Sequence, residues 1–122
     1  MSNPVFTGAA VAVITPFTPD LKKIDYDKFD EIIEYQIAHK TDAVVVAGTT
    51  GEAPTLSVPE HIELVNHCVK TVGGRVPVIA SCGSNDTFYC VGLANECEKA
   101  GADALLMVTP YYNKTSQSGI IE

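Results

Sequence analysis

Thr41-Asp42-Ala43-Val44-Val45-Val46 and Ala102-Asp103-Ala104-Leu105-Leu106-Met107 are one phrase written twice: an entry residue, an aspartate, an alanine and then an unbroken apolar run. Apolar residues that run on without alternating suit a strand buried on both faces, the usual condition in a parallel sheet. Ala9 to Thr15 and Pro77 to Ser81 are runs of the same kind, and with Ala43 to Ala47 and Ala104 to Val108 they make the expected strands. Between them the period changes. Phe29, Ile32, Ile33 and Ile37, then Ile62, Val65, Val69 and Val72, then Leu93, Ala94, Cys97 and Ala100 each form one apolar stripe at helical spacing, fit to lie on a sheet. Ser57-Val58-Pro59-Glu60 has capping-box spacing with proline in the first turn; Asn85, Asp86 or Thr87 can cap the third helix; Gly73-Gly74 and Gly101 supply stops. The repeating unit is a strand then a helix, about 30 residues long, as a parallel crossover requires.

Such alternation makes an α/β protein, either an open doubly wound sheet or a closed (β/α)8 barrel. No GxGxxG or GxxxxGK comes after a strand, so the nucleotide-binding versions lose support. The strands exit instead through Thr15-Pro16-Phe17, Gly48-Thr49-Thr50-Gly51-Glu52, Gly83-Ser84-Asn85 and Thr109-Pro110-Tyr111-Tyr112-Asn113. Hydroxyl and aromatic groups therefore collect at the carboxyl ends of strands, where barrel enzymes keep their sites.

With 122 residues, 46% of them hydrophobic, the chain forms one domain at most and falls short of a complete eight-unit barrel. A formal charge of −7 without a basic stripe argues against nucleic acid or an anionic membrane as partner. The start Met1-Ser2-Asn3-Pro4 carries no charged leader with an apolar core, and no apolar run reaches membrane-spanning length; the expected location is the cytoplasm. Cys68, Cys82, Cys90 and Cys97 show no metal-ligand spacing, so free buried thiols are expected and no metal site. Cys82, near a strand end, is read as apolar filler in preference to a nucleophile, because none of His39, His61 and His67 lies in a motif that would make it a partner base.

Gly48-Thr49-Thr50-Gly51-Glu52 is the most informative segment. Its two glycines let the backbone turn tightly after a strand while hydroxyls and N–H groups converge, which makes a receptor for a carboxylate or another small anion. An ordinary glycine-flanked turn with surface threonines satisfies the same pattern. Tyr111-Tyr112-Asn113-Lys114 places phenolic hydroxyls where they can pass protons, and paired tyrosines at a strand exit also serve as interface or core aromatics. Glu52 reads as surface structure.

Taken in series, the opening strand leaving through Thr15-Pro16, the Gly48–Glu52 turn and Thr109-Pro110-Tyr111-Tyr112-Asn113-Lys114 resemble the dihydrodipicolinate synthase family of the class I pyruvate aldolase superfamily. The resemblance covers essentially all 122 residues. N-acetylneuraminate lyases usually carry Ser-Thr where this chain has Thr49-Thr50, so the paired threonines favour the synthases. The resemblance implies the first four βα units of a (β/α)8 TIM barrel, with residues 1–122 as the N-terminal half of a single barrel domain. It implies a lyase that condenses pyruvate with aspartate semialdehyde in lysine and diaminopimelate biosynthesis through a lysine Schiff base, without cofactor or metal. Thr50 would bind the pyruvate carboxylate, Thr49 would be the middle of a hydroxyl proton relay, and Tyr112 would be the relay tyrosine that reaches across a dimer interface. Tyr111 would lie at that interface, and the assembly would be a homodimer or homotetramer.

The resemblance also places the Schiff-base lysine at the end of the sixth strand, beyond Glu122, and a further tyrosine and arginine after the fifth. Lys22, Lys23, Lys28, Lys40, Lys70, Lys99 and Lys114 fall on helices, at their ends or in loops, where solvated charge is the expected role. These residues alone are therefore expected to be inactive. Lysine-inhibited members hold the amino acid with a serine, two histidines, an asparagine, a glutamate and the first tyrosine of the pair; the matching positions here are Ala53, Val58, His61, Asn85, Tyr89 and Tyr111. With Tyr89 in place of the carboxylate, insensitivity to lysine is expected, since an unpaired ammonium is costly to desolvate. The alternatives are a non-catalytic half-barrel, serving as an assembly subunit or carboxylate-binding module, and a sister aldolase of the sialic acid or 2-keto-3-deoxygluconate lyase type.

Overall fold

The computed structural model describes residues 3–121. Strand β1 (Ala10–Ala12), helix α1 (Tyr26–Ala38), β2 (Ala43–Val46), a 3-10 turn (Ala53–Thr55), α2 (Val58–Val72), β3 (Val78–Ser81), α3 (Thr87–Lys99), β4 (Ala104–Leu106) and a short α4 (Gln117–Ile121) succeed one another along the chain. The sheet runs β1-β2-β3-β4 with every pairing parallel, which is the expected βα repeat. Each strand is shorter than its apolar run: Met107 and Val108 lie past the end of β4 and are half exposed.

The aspartate of the repeated phrase has a use that its spacing alone does not disclose. The Asp42 backbone N–H donates to the Ala9 carbonyl at 2.9 Å while its carboxylate accepts the Ala9 N–H at 2.8 Å. Asp103 treats Val78 in the same way, at 2.9 and 2.8 Å. Each aspartate thus clasps the start of the preceding strand, at Val78 of β3 or at Ala9 just before β1, and satisfies a backbone donor where the ladder begins. Between β2 and β3 the corresponding position is Pro77, whose carbonyl accepts from Val44 and which has no N–H to satisfy. Gly8 makes the first clasp possible: a Cβ there would lie 2.0 Å from Asp42 Oδ2, and its φ is +118°.

The helices pack on one another and on the sheet through Phe29 and Ile33 of α1, Leu64, Val65, Cys68 and Val72 of α2, and Leu93, Ala94 and Cys97 of α3, against Val44, Val46, Val78 and Ala80. The stripe on α2 is shifted from the expected one. Leu64 and Cys68 are fully buried while Ile62 and Val69 are only partly so, because α2 is flanked by α1 and α3 and its inward face turns toward β3. Burial on both faces holds for β2 but not for β1 or β4, whose residues are mostly exposed; the expectation fails there because each is an edge strand.

Helix ends obey the sequence signals. Ser57 and Glu60 form a reciprocal capping box at α2, Gly73 ends that helix in the left-handed conformation, and Asp86 is the side chain that caps α3. Asp25 caps α1. Arg75, just past the end of α2, fastens it to α1 by gripping Glu34 through both terminal guanidinium nitrogens at 2.8 and 2.6 Å. Asp30 adds a second fastening, accepting from His67 and Thr71 at 2.7 Å each.

Candidate active site

The carboxyl ends of β1 to β4 share one rim, so the loops that leave them are neighbours in space although far apart in sequence. After β2, Ala47 takes a left-handed φ of +54° and Glu52 one of +55°. Both are uncommon for residues with a side chain and mark a backbone held by its surroundings. Between them, Glu52 N–H donates to the Thr49 carbonyl at 3.1 Å and Ala53 N–H to the Gly48 carbonyl at 3.2 Å, closing the turn on itself. Gly48 and Gly51 are buried whereas Thr49 and Thr50 are exposed. The N–H groups of Thr49, Thr50 and Gly51 donate to no group among the described residues. Two exposed hydroxyls and three consecutive N–H groups without a protein acceptor among the described residues thus sit together at this strand end.

A cavity of about 750 Å³ opens beside this turn. Thr49, Leu56, His61, Ser81, Tyr89 and Tyr111 contribute to its wall, together with the exit of β4 from Leu106 to Val108. The fold therefore brings Thr49 and Tyr111 to one space. Thr50 and Tyr112 are not in that wall; Tyr112 is 91% exposed and projects to solvent, against 57% for Tyr111. Gly83 permits the close approach of the β3 and β4 exits, since a Cβ there would come within 2.3 Å of the Val108 nitrogen. Asn113 ties the tyrosine loop back to β3's exit by donating to the Asn85 carbonyl at 3.0 Å.

His61, one of the positions matched to the lysine-holding set of inhibited relatives, forms part of the wall. It is 4% exposed, and its Nε2–H donates to the Ser81 carbonyl at 2.7 Å, which fixes the neutral tautomer. Burial holds its pKa below the ordinary histidine value, partly offset by that bond. Cys82 is buried and its thiol is pushed up to about 11 by burial, with Cys90 nearby adding to the effect; a thiol so far from ionisation is filler. The four cysteines are unpaired. Among the described residues no three His, Cys, Asp or Glu side chains gather as a metal-holding group, and no helix is long and apolar enough to cross a membrane. Every lysine lies outside the strands; Lys28 and Lys99 are occupied by Glu31 and Glu96 at 2.6 and 2.7 Å.

A model of the dihydrodipicolinate synthetase family matches residues 5–122. The 4-hydroxy-tetrahydrodipicolinate synthase of Acetivibrio thermocellus is 52% identical over 122 residues, all of this chain and 41% of that protein. Among solved structures, a dihydrodipicolinate synthase from Acinetobacter baumannii, chloride-inhibited and complexed with pyruvate, is 39% identical with a TM-score of 0.89 over 93% of this chain and 38% of its own. Another, from Cyanidioschyzon merolae with lysine bound, is 36% identical with a TM-score of 0.92 over 98% of this chain and 40% of its own. The chain thus spans about 40% of the length of the curated relatives it matches. Its four parallel βα units correspond to that share of their (β/α)8 barrels.

Proposed function

The chain belongs to the dihydrodipicolinate synthetase family, and from that premise we propose that it supplies the carboxylate grip and part of the proton relay of a 4-hydroxy-tetrahydrodipicolinate synthase. In this reading the whole enzyme condenses pyruvate with aspartate semialdehyde, and its Schiff-base lysine lies in the barrel units that succeed these four. Location in the cytoplasm and assembly as a homodimer or homotetramer belong to the same reading.

The observation that carries it is the Gly48–Glu52 turn: exposed Thr49 and Thr50 beside three unused backbone donors at the carboxyl end of β2. A carboxylate seated there by Thr50 would hold the adjacent keto carbon in one orientation toward an attacking amine. Thr49, on the wall of the shared cavity, would pass protons during imine formation and its reversal, for which a hydroxyl that both donates and accepts is suited. Tyr112, almost fully exposed, has the projection that a residue serving a neighbouring subunit needs, with Tyr111 beside it at the interface. The Acinetobacter relative binds pyruvate, which agrees with a carboxylate receptor here.

The test is a chimeric barrel in which residues 1–122 replace the matched segment of the Acetivibrio thermocellus enzyme. Synthase turnover is expected. Thr50→Ala should raise the KM for pyruvate at least tenfold or so, and Thr49→Val and Tyr112→Phe should lower kcat by roughly 10- to 100-fold. A well-folded chimera without turnover would sink the proposal. The same chimera should be insensitive to lysine: the pocket wall offers Tyr89 and no carboxylate to an incoming ammonium. Strong inhibition at modest lysine concentration would reject that part.

A further inference from the structure

Thr15 leaves β1 toward the rim that bears the candidate site, yet neither the carboxylate grip nor the relay makes use of it. We infer that Thr15 is the positioning residue that sets the Gly48–Glu52 turn for its carboxylate, an inference that rests on the functional reading above.

The hydroxyl of Thr15 is buried, with 4% of the residue exposed, and donates to the Gly51 carbonyl at 2.7 Å. The bond joins segments 36 residues apart in sequence. The backbone bonds of the turn itself, Glu52 to Thr49 and Ala53 to Gly48, close it on itself. Among the described residues the Thr15 bond alone ties the turn to a neighbouring strand. Packing reinforces it: a Cβ on Gly51 would lie 3.2 Å from Thr15 Oγ1 and 3.2 Å from the Val13 carbonyl oxygen, so the turn rests directly on the exit of β1.

That hold is needed. Ala47 and Glu52, at the two ends of the turn, both sit in left-handed backbone, which residues with a side chain leave readily unless tertiary contacts oppose it. If the Gly51 carbonyl lost its donor, a buried acceptor would be unsatisfied and the turn would relax toward solvent. Thr49, Thr50 and the Gly51 N–H would move with it, and with them the place where a carboxylate sits. Thr15 touches no substrate in this scheme; it acts through the turn.

Two measurements test the role independently. In the 122-residue chain, Thr15→Val keeps the shape of the side chain and removes the donor. Amide exchange at Glu52 and Ala53 is expected to quicken by roughly five- to tenfold, while Val44–Val46 and Leu64–Cys68 hold their rates and Thr15→Ser restores the turn. Unchanged exchange at Glu52 and Ala53, or a uniform rise through sheet and helices, would overturn the inference. In the chimeric barrel, Thr15→Val should raise the KM for pyruvate by about fivefold, leave that for aspartate semialdehyde unmoved and be rescued by Thr15→Ser. A loss of folded enzyme with an unaltered pyruvate KM would assign Thr15 to stability alone and overturn the positioning role. An inactive unsubstituted chimera would remove the functional reading, and the exchange measurement would still decide whether Thr15 sets the turn.

Discussion

Gly83 and His61 show how single residues shape the cavity wall. Gly83 is read easily as a loop glycine, but its necessity comes from β4: the Val108 backbone occupies the space its Cβ would need. Gly83→Ala should push the two strand exits apart and cost about 2 kcal/mol of stability, measurable as a lower urea midpoint at unchanged slope. Burial disfavours the charged form of His61, so its folded pKa lies below the unfolded value of 6.5. As pH falls past that value the unfolded chain takes up a proton more readily than the folded chain does. The unfolded state then binds more protons, and stability falls as pH drops through and below about 6.5. His61→Gln, which keeps a donor for Ser81 but cannot titrate, should flatten the stability profile in that window; an unchanged slope would remove His61 as its source. Neither property is legible in the sequence, since a histidine or glycine in a row of letters does not reveal what stands opposite it.

Among the elements, agreement between sequence and structure is best where the device is local. Capping boxes and glycine stops are of that kind, so Ser57 with Glu60 and Gly73 act where the sequence puts them. The recurring aspartate is visible as a repeat but its purpose is not, because Asp42 and Asp103 act on the preceding strand, at Ala9 and Val78. Asp103→Ala would leave the Val78 N–H without its acceptor and should cost roughly 1–2 kcal/mol. Asp103→Asn, which retains a carbonyl oxygen, should recover most of that in denaturant unfolding. Equal losses for the two variants would mean that charge matters more than the bond. The α2 stripe departs from expectation for a related reason: periodicity locates an apolar face, whereas the neighbours on either side decide which part of it is sealed.

Across the whole molecule, the four-stranded sheet keeps two edges, and the rim side of β4 carries half-exposed Leu106, Met107 and Val108. Unpaired strand edges with apolar side chains invite association. The 122-residue chain is therefore expected to show concentration-dependent self-association in sedimentation velocity, relieved in the chimeric barrel. A dilute and a concentrated sample that both sediment as monomer would contradict this. Chemistry is partitioned at the same scale. With every lysine exposed and off the strands, treatment of this chain with pyruvate and borohydride should leave its intact mass unchanged, since no lysine side chain is desolvated and placed for imine formation. A stable adduct would place a reactive lysine within these residues.

Apolar periodicity, capping residues and strand-exit motifs are all written in short stretches of chain, and they suffice for the βα repeat, the helix caps, the parallel sheet and the family. They also single out Thr49, Thr50, Tyr111 and Tyr112 as a group. Folding adds that Thr49 and Tyr111 face a common cavity, that Tyr112 points to solvent, that His61 lines the wall and that Thr15 holds the Gly51 carbonyl. These are relations between residues far apart in sequence, and they come into being when the parallel sheet sets the strand exits side by side on one rim.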